Sequence, residues 1–394
     1  METITAADLL FSATTPSLAM IDNMAASSLG RGIDAFMAKN YTAAVREFRR
    51  SISLSPFSEN ALNAFEYMAQ ALGQSGRIRE AVTAYKEAIR VFPSADGLNL
   101  SLGNLLFAEG RQEEALEQYQ AAVRKNPVVS GNVYALGQGY LALEQYGKAE
   151  ETFKQVIGMS PRDSAGYYAL GQTYRMMGRW DEAEEQLQKA LAMKKDFGYV
   201  HYELGMVYAQ RQEMAKAREE LEIVAKKARE LFPDLQLAIE RNAAPRFILA
   251  YTGQLNLSLG PGTKVSSLAP SLAEPGATGE FTMRFVFDKA MDAASVRNVM
   301  NWEISRSSSL ETGGSYNWGR KVPASEVNVA LHPVRVLYDP ELLTARVTFR
   351  ITQNADGNGT IDLSHLVFSF RGTDVHGNVM DPEADQYNRF SRIV

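Results

Sequence analysis

Four side-chain amides recur at 34-residue intervals: Gln70, Asn104, Gln138 and Gln172. Three tyrosines, Tyr134, Tyr168 and Tyr202, keep the same interval. A carboxamide both donates and accepts hydrogen bonds, so a row of them can pair with the main chain of an extended peptide. A tyrosine adds apolar area with a polar tip. These are the means of recognition, whereas the means of catalysis are missing. The chain has no glycine-rich nucleotide loop, no zinc-binding His pair and no nucleophile elbow. Its four histidines, His201, His332, His365 and His376, are scattered, and no spacing singles out a triad. The absence of cysteine excludes disulfides, a thiol nucleophile and cysteine metal sites. The expectation is a protein that is not an enzyme.

The 34-residue interval belongs to a longer pattern between Asp96 and Leu231. Gly103, Gly137, Gly171 and Gly205 stand one period apart, each preceded by a Leu. Ala115, Ala149, Ala183 and Ala217 follow the same period, with Tyr119, Phe153, Leu187 and Leu221 four residues later. Pro127 and Pro161 close two of the units. Small residues let two helices cross closely, large ones fill the space between units, and Pro ends the second helix of a unit. One helix pair cannot bury its apolar face alone, so neighbours must stack. The pattern resembles the tetratricopeptide repeat (TPR), two helices per unit. Working back adds units at 62–95 and 25–58, separated by Glu59 to Ala61, for six in all. The last second helix is expected to run on to Phe232, with Pro233 opening a capping helix that ends near Asn242.

The resemblance implies that the first helix of each unit lines a concave groove. The amide row then lies at the ninth position of the middle four units, and the tyrosine row at the fifth position of the last three. Arg175 adds a charge. The candidate peptide-binding set is therefore Gln70, Asn104, Gln138, Gln172, Tyr134, Tyr168, Tyr202 and Arg175. The Lys/Asn clamp of TPR domains that bind chaperone tails is absent, since no Lys occupies the fifth position, so that mode of carboxylate capture is not expected.

At Ala244-Pro245 the helical period gives way to alternation. Phe281, Met283, Phe285 and Phe287 share one strand face, as do Ala345, Val347, Phe349 and Ile351. Asp339-Pro340 between two apolar runs predicts a hairpin, 365–372 reads as a further strand, and Gly377-Asn378 marks a turn. Residues 287–305, 334–351 and 370–381 resemble a bacterial immunoglobulin-like domain of the surface-layer type. Met291, Asp292, Ser295 and Val296 match its first turn motif, and Asp374, Gly377 and Asn378 its last. The resemblance covers roughly 265–390 and implies a spacer or adhesion module of exported proteins. The insert from Ser307 to Ala324 is not typical of it and is expected to be a long loop.

Residues 354–365 resemble a calcium-binding EF-hand loop. The resemblance implies oxygen ligands at Asp356, Asn358, Thr360 and Asp362. Asn354 and His365 stand where the first Asp and the closing Glu belong, which leaves a weak calcium site or a plain polar turn joining two strands. No other cofactor is indicated.

The totals agree with this reading. The chain has 394 residues, long enough for two or three domains, and its 45% hydrophobic and 22% charged residues are ordinary for a globular protein. The net charge is −5, and neither the repeats nor the C-terminal part is basic, so nucleic acid is not the expected partner. No stretch is long and apolar enough to span a membrane, and the first residues do not read as a signal peptide. The absence of cysteine and the immunoglobulin-like resemblance point to an exported or cell-surface setting, with the cytoplasm as the alternative.

The expected fold is thus a right-handed α-superhelix of about six TPR units followed by an antiparallel immunoglobulin-like β-sandwich. The segments are an N-terminal segment (1–23), the TPR domain with its capping helix (24–243), a linker or first strand (244–264) and the sandwich (265–394). A short helix capped by Thr5 and Asp8 is expected in the first segment, as a lid or a docking peptide. The expected function is a scaffold or assembly protein that binds an extended protein segment. The alternatives are a surface-associated structural protein that associates with copies of itself, and a peptide-binding chaperone or targeting adaptor.

Overall fold

A computed structural model of the chain describes residues 18–310 and 314–387. The short helix expected around Thr5 to Phe11 lies outside the described residues. Two compact units divide the chain: residues 1–207 with 223–229, and residues 208–222 with 230–394.

The first unit is built from antiparallel helix pairs: α1 (Leu18–Met37) with α2 (Tyr41–Leu54), α3 (Glu59–Gln74) with α4 (Ile78–Val91), α5 (Asp96–Ala108) with α6 (Gln112–Lys125), α7 (Ser130–Ala142) with α8 (Tyr146–Met159), and α9 (Ser164–Met176) with α10 (Trp180–Met193). The period works as the sequence predicts. The glycine of a first helix faces the large residue sixteen positions later. A Cβ on Gly103 would lie 2.5 Å from the Tyr119 ring, and one on Gly137 2.5 Å from the Phe153 ring. Ala44, Ala81, Ala115, Ala149 and Ala183 are fully buried where the helices cross. Arg77 with Glu80, Arg111 with Glu114 and Arg179 with Glu182 form ion pairs at the starts of α4, α6 and α10, again one or two periods apart.

Two expectations about the helices need correction. Glu59 to Ala61 do not separate two units. Ser58 caps the Ala61 N–H, and the three residues lengthen α3 to 16 residues, against 13 for α5. The helix expected to continue to Phe232 stops earlier. After α11 (Gly198–Gln210), α12 (Met214–Lys227) ends, a 3-10 turn follows at Arg229–Leu231, and α13 (Phe232–Asn242) starts afresh with Pro near its N-terminus. Proline has no N–H to continue a helical ladder, but its fixed φ suits a first turn.

In the second unit β1 (Phe247–Tyr251), β3 (Thr278–Phe287), β5 (Arg335–Asp339) and β6 (Thr344–Thr352) form a four-stranded antiparallel sheet in the order β1-β3-β6-β5, with β2 (Thr263–Lys264) intervening in the chain. β4 (Trp302–Arg306), β8 (Leu366–Phe370) and β9 (Gln386–Tyr387) form a second, in the order β4-β8-β9. β2 pairs with β7 (Thr360–Ile361). The predicted strands pair inner face to inner face, Phe281 opposite Phe349, Met283 opposite Val347 and Phe285 opposite Ala345. Aromatic rings join the two sheets: Phe285 meets Trp302 at 5.0 Å and Phe368 at 5.7 Å, and Phe247 meets Trp302 at 6.0 Å.

Turn chemistry follows the two motifs. Asp292 accepts from the Ala294 and Ser295 N–H groups and caps α14 (Ala293–Arg297). Asp374 accepts from the His376 and Asn378 N–H groups around Gly377, whose φ is +85°. Within the insert after Ser307, the described residues Tyr316–Gly319 form a 3-10 turn. Tyr316 and Asn317 are buried, and Asn317 and Trp318 adopt positive φ.

The boundary expected at residue 244 follows the change from helix to strand, whereas the compact units part differently. The tip between α11 and α12 and all of α13 group with the strands. Gln212 reaches Asn378 at 3.3 Å, Asn378 donates to the Arg241 carbonyl at 2.6 Å, and Lys289 donates to the Ala243 carbonyl at 2.7 Å. These bonds tie the helical end to the motif turns.

Candidate interaction face of the helical repeats

The ninth and fifth positions of the first helices hold the amides and tyrosines, and the structure divides them. Gln70 and Asn104 are exposed, and Gln138 and Gln172 are half-buried. The Asn104 oxygen accepts from the Tyr119 hydroxyl at 3.0 Å. Burial pushes that hydroxyl up to about 12, so it stays a donor. Gln138 donates to the Tyr134 hydroxyl one turn earlier, at 3.1 Å. Each of these two amides therefore keeps only part of its hydrogen-bonding capacity for a ligand.

Gln172 and Arg175 are more committed. Both meet Glu203 on α11, a residue that the sequence pattern did not single out. Gln172 donates to one Glu203 oxygen at 3.0 Å, and the Arg175 guanidinium pairs with the other. Glu203 is 1% exposed, so its charge is held by this pair of donors and not by water. A signal for it existed: the same register holds Ser101, Ala135 and Ala169 in the preceding repeats. A carboxylate where others have a small residue needs a partner, and α9 supplies it. Arg175 is thereby committed to Glu203, which in turn accepts from Gln172.

Tyr134 and Tyr168 are half-buried, and burial holds both hydroxyls above the usual tyrosine range. For Tyr168 the Glu203 charge adds to the effect. Their rings are set against neighbours, Tyr134 at 5.8 Å from Phe153 and Tyr168 at 5.1 Å from Phe197. Tyr202 is half-buried. Near the start of the first helices, Gly97 and Gly131 leave room. A Cβ added at Gly131 would meet nothing within 4 Å. Gly131, Tyr134 and Gln138 stand at i, i+3 and i+7 of α7, so glycine, tyrosine and amide registers fall on one helix face.

Three of the four residues of the EF-hand-like loop, Asn358, Thr360 and Asp362, are directed to separate partners. Asp356 and Asn358 are exposed, and Asn358 closes a turn with Asn354. The Thr360 hydroxyl bonds Ser325 and Glu326. Asp362 is fully buried and accepts from the Asn317 N–H at 2.8 Å, Ser364 at 2.8 Å and His365 at 2.7 Å. Asp362 therefore pins the insert to the sheet. Among the described residues no three His, Cys, Asp or Glu side chains gather as a metal-holding group. Ser364, His365 and Asp362 are close, but Ser364 and Asp362 both approach the same ring nitrogen, Nδ1, in a buried site. A nucleophile triad needs opposite ring nitrogens and an exposed serine.

The tetratricopeptide repeat profiles match residues 68–129, 131–196 and 168–230. The expected TPR repeats are present at these residues, in a helical superhelix followed by an antiparallel β-rich region, and no catalytic family is indicated. Among solved structures, the chain is similar to the APC/C hetero-tetramer Cut9-Hcn1 at 20% identity, over 60% of this chain and 48% of that one, with a TM-score of 0.45. It spans about half the length of that structure. It is also similar to Pseudomonas aeruginosa PilF at 14% identity, over 56% of this chain and 96% of that one, with a TM-score of 0.45. YrrB, described as a TPR protein with an unusual peptide-binding site, is similar at 21% identity over 49% and 96%, with a TM-score of 0.39. No curated protein matches the chain. Among the described residues no helix is long and apolar enough to cross a membrane.

Proposed function

We propose that this chain, whose residues 68–230 carry TPR repeats, is a non-enzymatic scaffold that binds an extended segment of a partner protein along the first helices. The observation that carries this reading is one chemistry at one repeat register. Gln70, Asn104 and Gln138 recur there, Gln70 exposed and the other two with hydrogen-bonding capacity left over after one internal bond each. Packing alone would not require amides, since Ile33 and Met206 occupy the same register at the two ends. Gln70, Asn104 and Gln138 would pair with the segment's main chain. Tyr134, Tyr168 and Tyr202 would receive its side chains, and Gln172 would contribute through its free carbonyl while Arg175 holds Glu203.

The test starts from peptides selected by display on the full chain. Their affinity is then measured for the wild type, for Gln70→Ala with Gln138→Ala, and for Tyr168→Ala with Tyr202→Ala. Each lost hydrogen bond is worth roughly 0.5–1.5 kcal/mol, so the double amide variant is expected to bind about tenfold more weakly with an unchanged melting temperature. Unaltered affinity in both variants would remove the segment from this face.

We further infer that the C-terminal part is an immunoglobulin-like sandwich. Lettered A to G in chain order, β1, β3, β4, β5, β6, β8 and β9 fall into the sheets A-B-E-D and C-F-G. That is the strand order of a constant-type immunoglobulin domain, and Trp302 is buried on strand C as in such domains. The tyrosine corner and the disulfide of antibody domains are not part of it.

A further inference from the structure

The outer face of the four-stranded sheet carries three arginines in one patch. Arg284 on β3 stands directly opposite Arg346 on β6. Leu337 on β5 flanks Arg346 from the other side, and Arg335 lies two pairs further along, opposite Thr348 and on the same face. All three arginines are exposed, and among the described residues no carboxylate pairs with any of them. Arg350 on the same face does have an acid, Glu280. Like charges directly opposite one another weaken a sheet, so Arg284 facing Arg346 works against stability. Asp339, at the end of β5, turns one oxygen to the Glu341 and Leu342 N–H groups.

The patch is concave. The loop after β1 folds over the face, with Gln254 accepting from the Thr282 N–H at 2.7 Å and Thr252 donating to the Thr282 carbonyl at 2.9 Å. Thr282 and Thr348 bond one another at 3.1 Å on the floor, and Thr348 is only 6% exposed although it points outward. The hollow measures about 560 Å³ and is lined by Tyr251, Gln254, Arg284, Arg335, Leu337 and Arg346, among others. Its threonines already satisfy each other. What remains is an excess of guanidinium donors with no carboxylate partner among the described residues.

We propose that this hollow binds an acidic oligosaccharide, a segment of a chain bearing carboxylate or sulfate groups. A guanidinium presents a fixed fork of donors that matches such groups two bonds at a time. The volume falls in the range of small-ligand sites and suits one or two sugar rings. Tyr251 and Leu337 are part-exposed at its rim and offer apolar surface to the C–H face of a sugar. Tyr251 also lies beneath Arg284, ring to guanidinium at 5.8 Å. A peptide strand would add to a sheet edge, where main-chain groups are free, and this is a sheet face. A nucleic acid would call for a basic stripe and several stacking rings, and the chain has a net charge of −5.

The experiment is calorimetry on the full chain with a heparin-derived hexasaccharide and a galacturonate hexamer, and with maltohexaose as the uncharged counterpart. The acidic sugars are expected to bind, more weakly as salt is raised. Arg284→Gln with Arg346→Gln is expected to weaken binding at least about tenfold while leaving the melting temperature equal or higher. Arg346→Lys, which keeps the charge but loses the fork, is expected to fall between. Arg90→Gln with Arg124→Gln removes the same charge from exposed helix positions and is expected to change little. The proposal is overturned by absence of binding to either acidic sugar, by equal binding of maltohexaose, or by equal losses in the two double variants. Equal or tighter binding of a poly-glutamate peptide or a single-stranded DNA of matched charge would also overturn it.

Discussion

Glu203 and Asp374 show how single buried carboxylates decide what their neighbours can do. Glu203 takes two donors, Gln172 and Arg175, from the ligand-facing set and turns them into a brace between α9 and α11. Asp374 does the same for the turn at Gly377. Burial alone would push its carboxyl up. The hydrogen bonds from Lys289, from the Asn378 side chain and from the Asn378 and His376 N–H groups outweigh that and hold it below its ordinary 3.8. A carboxylate depressed in the folded state adds stability above its unfolded value, and that stability is lost as pH falls through the folded value. The window for Asp374 therefore lies below about pH 4. Lys289→Met removes the cation and leaves the charge buried, which is expected to cost about 2–3 kcal/mol at pH 7. As pH falls below about 4 the carboxyl is progressively neutralised, so the difference between variant and wild type is expected to be smaller at pH 2 than at pH 7. Urea unfolding at the two pH values measures it, and an equal difference at both would show that the ion pair is not the cause.

The helix pair is the element from which the first unit is built, and its glycines are set by distance. At Gly137 a methyl group would sit 2.5 Å from the Phe153 ring, inside any allowed contact. Gly137→Ala must spread α7 from α8 and is expected to destabilise by about 1–3 kcal/mol. Gly147 lies on the exposed side of α8, where a Cβ meets nothing within 4 Å. There Ala only reduces the freedom of the unfolded chain, and Gly147→Ala is expected to stabilise by about 0.5–1 kcal/mol. Thermal melts of the two variants should move in opposite directions. Movement in the same direction would mean that the crossing glycines are not selected for closeness. In the pair α3 and α4 the same register holds Ala69 and Tyr85, both buried.

At the scale of the whole molecule, the change from helix to strand near residue 244 does not coincide with the edge of the compact units. The carbonyls of Arg241 and Ala243 accept from Asn378 and Lys289, so α13 serves the strand unit as well as ending the helices. Fragment 230–394 is expected to melt roughly 5 °C above fragment 244–394, which lacks those acceptors. A fragment starting at residue 250 is expected to show no cooperative melt. It loses most of β1 and with it Phe247, which is fully buried between Phe285, Phe287, Trp302 and Phe370. Deleting such a ring costs about 3–5 kcal/mol, a large part of a domain's stability. Identical melts for the first two fragments would place the boundary at the helix end after all.

Much of this fold is legible without coordinates because its contacts are short-range or periodic. Gly137 meets Phe153 within one helix pair, so a 34-residue period in the sequence is a period in space. Likewise the alternation of Phe281, Met283, Phe285 and Phe287 becomes one buried face, because a strand turns every second side chain the same way. The amide and tyrosine registers were readable for the same reason. What they are free to bind was not, since that depends on Glu203 reaching back from the next repeat. Asp362 read as a metal ligand in its loop, but Asn317, far away in the chain, takes its oxygen. Arg284, Arg335 and Arg346 are unremarkable in sequence and become one patch only through strand register. Side chains far apart in the chain share a site only after backbone pairing has brought their strands together, and that is the part that tertiary structure decides.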